Sequence, residues 1–343
     1  MSYVPLLWAI LSALLFGAST PAAKVLLGEV GPVTLAGLLY IGAAAFSAAF
    51  ARRGGSNAAR GSFRNLALLG GAVLAGGVLG PVAMLYGVSR APASTSALWL
   101  NLETPATALL GAAFFREHLS RRGWSAVALV SVGSVVLAAP AGFALAPAAL
   151  LLLAACLCWG LDNNLTALID GFTPAQSTFV KGLVAGLVNL TLGRVLGEPW
   201  PSLPVMAGAV VVGTLAYGAS LVLYVGAAQH LGATRSQMAF ATAPIFGVLL
   251  SWTALSEPVL ATQLLAGCLM TIGVWLGAID AHTHRHGHEK TRHTHWHRHD
   301  DGHHDHDHEH MPRLGWHVHE HEHAVFEHEH EHRSDLHHRH PHG

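Results

Sequence analysis

Ten apolar stretches, separated by short polar or Gly/Pro-containing breaks, follow one another through residues 5–279. About 20 apolar residues are needed for a helix to cross the hydrocarbon layer, and these stretches are close to that length. Because a helix satisfies its own backbone hydrogen bonds in lipid, the pattern predicts an all-α integral membrane protein with ten transmembrane helices. The predicted spans are residues 5–27, 32–50, 66–88, 93–115, 123–140, 147–168, 173–195, 204–228, 233–255 and 259–279.

The composition agrees with lipid as the main solvent of the chain. Hydrophobic residues make up 52% of the sequence and charged residues only 11%, whereas soluble domains carry about 25% charged residues. Polarity is concentrated at one end, because residues 280–343 hold 24 of the 26 histidines. We therefore divide the chain into an apolar body and a polar tail.

The basic residues of the predicted loops favour one orientation in the membrane. With the N-terminus inside, eight arginines lie in cytoplasmic loops and two in the opposite loops, as the positive-inside rule requires. An even number of spans then places both termini in the cytoplasm, and we expect a multi-pass protein of the cell (inner) membrane. The cytoplasmic set is Arg52, Arg53, Arg60, Arg64, Arg116, Arg121, Arg122 and Arg235, and the opposite set is Arg90 and Arg194.

The body contains an internal duplication, which divides it into residues 1–140 and 141–279 ahead of the tail at 280–343. Five helices per copy is an odd number, so the two copies are expected in opposite orientations, an arrangement typical of secondary transporters. The matching segments are Phe16-Gly17 with Trp159-Gly160, Leu85-Tyr86 with Leu223-Tyr224, 93–96 with 233–236, Pro105 with Pro244, and 114–117 with 254–257.

Several of these features occur together in one known group of carriers. Glu117 and Glu257 each precede the last span of their half, and a Gly-containing span follows each of them. With the Phe-Gly and Trp-Gly pairs and the mid-helix Pro105 and Pro244, the body resembles the drug/metabolite transporter superfamily, in its EamA-type branch. The resemblance covers residues 4–279. It implies a carrier, often an exporter, of amino acids, nucleotides, sugars or other metabolites, with a cavity lined by spans one, three, four, six, eight and nine.

Ionisable residues within the predicted spans are few, and each is a candidate for the transport site because a charge in the bilayer is costly. Glu103 lies in the middle of span four, in a segment that also contains Trp99 and Asn101. Pro105 removes a backbone donor and frees carbonyls close to this carboxylate. The segment is either a substrate or proton site or a set of hydrogen bonds between helices.

The second candidate group combines Asp162 and Asn163 of span six with Lys181 of span seven. At 1.5 Å per residue, Asp162 and Lys181 lie at similar depths of about 9 and 12 Å from the cytoplasmic side, which allows an ion pair. The pair is either static or linked to the substrate. Lys24, near the outer end of span one, either joins the site or extends to the interface. We expect Glu117 and Glu257 to hold helix ends rather than substrate.

The tail alternates His with Asp, Glu or Arg and has few large apolar residues, so we expect it to be disordered. Imidazole and carboxylate ligands suit Zn, Ni, Co and Cu, and we expect such a divalent metal to bind there; a pH-responsive or solubilising tail is the alternative. The candidate metal ligands are His303, His304, His306, His308, His310, His319, His321, His323, His328, His330 and His332.

Three functions remain open at this point. The first is a secondary carrier that exports a small organic metabolite by alternating access, with the tail as a metal sensor or buffer. The second is a carrier of a divalent transition metal (Ni, Co or Zn), and the third is a membrane metal sensor without transport. The sequence has no phosphate-binding Gly-x4-Gly-Lys-Ser/Thr motif and no nucleophile–base pattern, so we expect neither an enzyme nor a required cofactor.

The expected partners are a small-molecule or ion substrate and the lipid bilayer. Nucleic-acid binding has no support, because the basic residues are dispersed and the tail is net acidic. Gly273-x-x-x-Gly277 favours a close helix contact, and one between two copies of the chain would form a homodimer.

Overall fold

The structure is a computed structural model that describes residues 4–51, 62–114, 121–138, 146–169, 172–231, 240, 242–278, 282–288, 291–298, 316–323 and 326–332. Residues 4–278 are helical throughout, apart from short connections, within these ranges. The α-helices are α1 Val4–Gly17, α2 Ser19–Leu26, α3 Pro32–Ala51, α4 Phe63–Ala72, α5 Gly80–Arg90, α6 Ala93–Trp99, α7 Glu103–Phe114, α8 Arg121–Ala138, α9 Ala146–Ala167, α10 Pro174–Val195, α11 Leu203–Val212, α12 Ser220–Leu231, α13 Ala243–Ala254 and α14 Ala261–Ala278.

Six helices of the described ranges are long and apolar enough to cross a membrane: Leu6–Leu26, Pro32–Ala51, Phe63–Arg90, Ala146–Thr166, Ala175–Val195 and Leu203–Tyr224. The other predicted spans contain shorter or more polar helices. Span four divides into α6, a 3₁₀ turn at Leu100–Leu102 and α7, because Pro105 has no N–H to bond the carbonyl of Asn101 and the chain tightens there.

The helices pack in matched pairs across the two halves of the body. The contact between α5 and α9 has a counterpart in that between α1 and α12, and α7 with α9 is matched by α1 with α13. The pairs α3 with α10 and α8 with α14 each join equivalent helices. Glycines make the closest approaches, since a Cβ at Gly182 of α10 would meet the α3 backbone. Small residues let helix backbones approach where lipid gives no hydrophobic drive.

Gly273 takes part in one of these contacts. A Cβ at this position would meet the backbone and side chains of α8 in the same chain. The close helix contact expected from Gly273-x-x-x-Gly277 is therefore intramolecular at Gly273, and the homodimer stays a prediction without support from this residue.

A π-helical segment interrupts the third long helix of each half. The segments are Val73–Leu79, between α4 and α5, and Gly213–Ala219, between α11 and α12. A π-segment alters the i→i−4 bonding and leaves carbonyls that need other partners. In the first half, the Gly76 carbonyl accepts hydrogen bonds from the Tyr40 hydroxyl and Trp159 Nε1, and the Gly77 carbonyl accepts one from Asn189 Nδ2.

The part of the tail that the structure describes contains four strands: β1 His282–His288, β2 Thr291–Arg298, β3 Trp316–His323 and β4 Phe326–His332. β1 pairs antiparallel with β4, and β2 with β3. The prediction of a disordered tail therefore differs from the structure in these four segments, because the alternation of His with a second residue type has the period of two that suits a strand. The strands place histidines opposite histidines, as in His284 with His330 and His295 with His319.

Candidate functional site

A cavity of about 520 Å³ lies between the two halves of the body. A smaller cavity of about 70 Å³ shares Phe16, Glu103 and Phe240 with it, so the two adjoin. The residues lining the larger cavity include Phe16, Tyr40, Ala43, Glu103, Thr107, Asp162, Asn163, Thr178, Lys181, Gly182, Ala216, Tyr217, Ser220, Leu221, Tyr224 and Phe240.

The helices around this cavity differ in part from those implied by the family resemblance. α3 and α10, which are spans two and seven, contribute Tyr40 and Lys181. Span three supplies none of the lining residues named above. Its π-segment lies behind the wall, where Gly76 contacts Asp162 and its carbonyl is bonded by Tyr40 and Trp159.

Asp162 and Lys181 form an ion pair in the cavity wall. Lys181 Nζ lies 2.6 Å from each carboxylate oxygen of Asp162, and Thr166 Oγ1 donates a third hydrogen bond at 2.9 Å. Asp162 is only 7% exposed, so its charge depends on these donors. The pair fits tightly because residue 76 is glycine: a Cβ there would overlap the carboxylate.

Glu103 lies at the junction of the two cavities, at the first residue of α7. Asn163 Nδ2 donates to Glu103 Oε1 at 3.0 Å and to Thr107 Oγ1 at 3.2 Å. No cationic side chain in the described part of the chain forms an ion pair with Glu103. Asn164 Nδ2 fixes α9 against α7 by donating to the Thr107 carbonyl at 3.1 Å.

Five aromatic rings form a continuous row along the cavity. The centroid distances are 6.0 Å from Tyr40 to Tyr217, 5.8 Å from Tyr217 to Phe16, 5.3 Å from Phe16 to Phe240 and 5.1 Å from Phe240 to Tyr224. Each interplanar angle is tilted or edge-on, the arrangement that aromatic quadrupoles favour. The cavity thus has a charged side and an aromatic side.

A second set of carboxylates lies at one end of the helix bundle, which we call the capped end. Glu257 accepts from the N–H groups of Ala93 and Ser94 at 2.7 and 2.9 Å and from the Ser94 hydroxyl at 2.5 Å. Glu198 accepts from the N–H groups of Val33 and Thr34 at 3.1 and 2.7 Å. Both satisfy free donors at a helix N-terminus, and for Glu257 this agrees with the expected role at a helix end.

The seven site residues predicted from the sequence separate into two groups. Glu103, Asp162, Asn163 and Lys181 line the larger cavity, and Asn101 lines the smaller one. Trp99 is 1% exposed, and its Nε1 donates to the Ser134 carbonyl at 3.3 Å. Lys24 Nζ donates to the carbonyls of Val88 and Ala91 at 2.7 and 2.8 Å, where it holds the end of α5. Trp99 and Lys24 therefore have structural contacts away from the cavity.

The aromatic row was not predicted from the sequence. Phe16 and Tyr224 belong to the repeated pairs Phe16-Gly17 and Leu223-Tyr224, but those pairs indicated only the duplication. A tyrosine is uncommon in an otherwise apolar helix, and the hydroxyls of Tyr40 and Tyr217 were a usable signal.

Metal-ligating groups give no cluster in the part of the chain that the structure describes: no three His, Cys, Asp or Glu side chains lie together there. His303, His304, His306, His308 and His310 lie outside the described residues. His319, His321 and His323 lie on β3. His328, His330 and His332 lie on β4. Glu117 is also outside the described residues.

The chain is similar to known proteins both in sequence and in fold. The sequence model of the EamA-like transporter family matches residues 4–139 and 146–278, once in each half of the body. A protein of Methanothermobacter thermautotrophicus, described as an uncharacterized transporter, is 27% identical over 303 residues, which cover 80% of this chain and 87% of that protein. One solved crystal structure has a TM-score of 0.59 at 18% identity and covers 81% of this chain and 98% of that chain. At that identity, the structural likeness bears on the fold alone.

Proposed function

Because the chain belongs to the EamA-like transporter family, and is a membrane transporter rather than an enzyme, we propose that it exports a small organic metabolite by alternating access. The resemblance seen in the sequence is confirmed by the family match.

The cavity between the two halves carries this proposal. Its volume of about 520 Å³ is within the usual range of about 300–1,000 Å³ for small-molecule sites. It combines an ion pair, a carboxylate and an amide on one side with aromatic rings on the other. Charged groups within a membrane protein generally face a cavity or a substrate path.

The matched helix contacts support a proposal in which ten spans form two inverted repeats. The two repeats would move against each other to give alternating access. The main helix contacts of one half have equivalents in the other, so exchanging the two sets of contacts would convert one conformation into its two-fold-related counterpart. Lys181 lies seven residues from the start of α10, which is about 10 Å at 1.5 Å per residue. Its distance from the end of α10, at the capped end, is about twice as great. With the positive-inside orientation, the capped end faces outward and the cavity is nearer the cytoplasm.

We assign the tail to divalent metal binding, with Zn, Ni, Co or Cu as candidates. The strand register supports this assignment because it sets six histidines opposite six others, three pairs in each strand pair. The tail then acts as a sensor or buffer in the cytoplasm, separate from the solute path.

The test reconstitutes three forms in liposomes: the full chain, a truncation after Ile279, and Asp162→Asn with the tail intact. The liposomes of each form are loaded with a cytoplasmic metabolite extract. The solutes that they release over time are identified by mass spectrometry, and Mn, Fe, Co, Ni, Cu and Zn are measured in parallel. Ser131→Ala, a change at an exposed position on α8, controls for substitution itself.

We expect an organic solute to leave in the full and truncated forms and not in Asp162→Asn. Metal bound to the protein should follow the tail alone. Release of a metal that stops in Asp162→Asn would instead make the protein a metal carrier. No release of any solute by the folded full chain would contradict transport.

A further inference from the structure

We propose that the cavity selects an organic cation that carries both an ammonium group and an aromatic ring. This inference rests on the proposed transport function and adds the chemical class of the cargo. It follows from the charge balance on one side of the cavity and from the row of rings on the other.

The charge balance leaves one carboxylate without a cation. The lining residues named above include three charged side chains, Glu103, Asp162 and Lys181. Lys181 is already engaged by both oxygens of Asp162, each at 2.6 Å, so this pair is neutral as a unit. Glu103 has only the amide of Asn163 as a polar partner in the described chain. An ammonium group would supply the missing positive charge at Glu103.

An anionic solute would add a second negative charge beside Glu103 instead of balancing the first. It would approach the Glu103 carboxylate, and the charge of Lys181 is already balanced by the buried Asp162, so these three side chains offer the anion no net positive charge. Drawing Lys181 away from Asp162 would leave a buried carboxylate without its partner, which costs more than the new pair returns. The arrangement therefore disfavours anions.

The aromatic row provides the other half of the selectivity. Phe16 and Phe240 line both cavities beside Glu103, and Tyr217 and Tyr224 extend the row on either side. Aromatic faces attract cations through the ring quadrupole and pack with other rings. A ring next to an ammonium group matches both features within one cavity.

The experiment uses four ligands of nearly equal size. They are 2-phenylethylammonium, neutral propylbenzene, the anion 3-phenylpropionate and 2-cyclohexylethylammonium, whose ring is saturated. Binding to the purified full chain in detergent is measured by calorimetry, and exchange of the same compounds is measured in liposomes. We expect the aromatic cation to bind at least tenfold more tightly than the neutral compound and the anion, and several-fold more tightly than the saturated cation. Tenfold corresponds to about 1.4 kcal/mol.

Two variants locate the preference. Glu103→Gln should remove most of the preference for the cation over propylbenzene, whereas Glu29→Gln, at an exposed position, should retain it. Phe240→Leu should reduce the preference for the aromatic over the saturated cation. Phe46→Leu is its control, because Phe46 pairs with Phe50 at 5.4 Å and is not among the lining residues named above.

The outcomes separate the two proposals. Tighter binding of the anion or the neutral compound, or no binding of the cation by the wild-type protein, would overturn the inference even where other solutes are transported. Selective cation binding without exchange in liposomes would keep the inference and overturn the transport proposal. The wild-type comparison alone decides the case if Glu103→Gln does not fold.

Discussion

The carboxylates of the capped end and those of the cavity are partnered in different ways. Glu257 and Glu198 are bound by backbone N–H groups at the first turns of α6 and α3. Asp162 and Glu103 are bound by side chains, namely Lys181 and Asn163. Backbone donors at a helix terminus are fixed by the helix. Side-chain donors can rotate away, so only the cavity carboxylates have partners that a solute could replace.

The capped end also shows how the chain directs a carboxylate to a helix terminus. Gly197 and Ser256 precede Glu198 and Glu257 and have φ of 80° and 54°. The helix before each ends with a bond from the glutamate N–H, to the carbonyl of Gly193 at 2.9 Å and of Ser251 at 3.3 Å. The first of these is the Schellman arrangement, in which a left-handed residue reverses the chain; in the second, the bond spans one residue more. A left-handed residue directly before the glutamate in both halves indicates a structural role.

The largest effect should follow from Asp162→Asn. Lys181 would keep its charge without a counter-ion, and we expect the free energy of unfolding, measured by SDS titration, to fall by about 2–4 kcal/mol. Export should fall at least tenfold. The double variant Asp162→Asn/Lys181→Gln removes both charges and should recover most of the stability. Recovery of export as well would show that the pair is static, which would weaken the contrast between the two regions.

Glu257→Ala should have the next largest effect. The N–H groups of Ala93 and Ser94 would lose charge-assisted bonds, and we expect a loss of about 2–3 kcal/mol in the free energy of unfolding. Export per folded molecule should stay within about twofold, because the backbone donors serve the fold. The exposed Glu29→Ala is the control and should change neither quantity. Loss of export at unchanged stability would place Glu257 in the transport cycle.

Gly76→Ala tests the fit between the π-segment and the ion pair. Its Cβ would overlap the Asp162 carboxylate, and overpacking of this kind should cost about 1–2 kcal/mol and reduce export. Gly70→Ala is the matched control, since nothing lies within 4 Å of a Cβ there. That change should be neutral or stabilising by up to about 1 kcal/mol from helix propensity. Equal effects of the two variants would argue against a specific contact.

Ser256→Gly should have the smallest effect, and it should stabilise the protein. The left-handed conformation of Ser256 is strained for a residue with a Cβ, and its relief outweighs the larger chain entropy of glycine by about 0.5–1 kcal/mol. Ser256→Ala retains the Cβ and should give no gain. Thermal unfolding followed by tryptophan fluorescence ranks the three proteins. A destabilised Ser256→Gly would mean that the serine side chain itself holds the loop.

The helical membrane character of the body and the family were predictable because both depend on local sequence. Apolar length indicates a membrane helix by itself, and the paired segments around Glu117 and Glu257 carry the family pattern. The broken geometry of span four, the π-segments and the strands of the tail were not predicted. These depend on hydrogen bonds between residues far apart in the chain, such as those of Tyr40 and Trp159 to the Gly76 carbonyl.

For the site, the sequence alone determined which residues were candidates, since a charge within an apolar span is costly wherever it lies. Glu103, Asp162, Asn163 and Lys181 were found in this way. Only the tertiary structure decided that they line one cavity while Trp99 and Lys24 serve the packing and a helix end. It alone also brought Tyr40, Tyr217, Phe16, Phe240 and Tyr224 into one row. The cost of a charge is a property of one residue, whereas its partner is set by how separate helices pack.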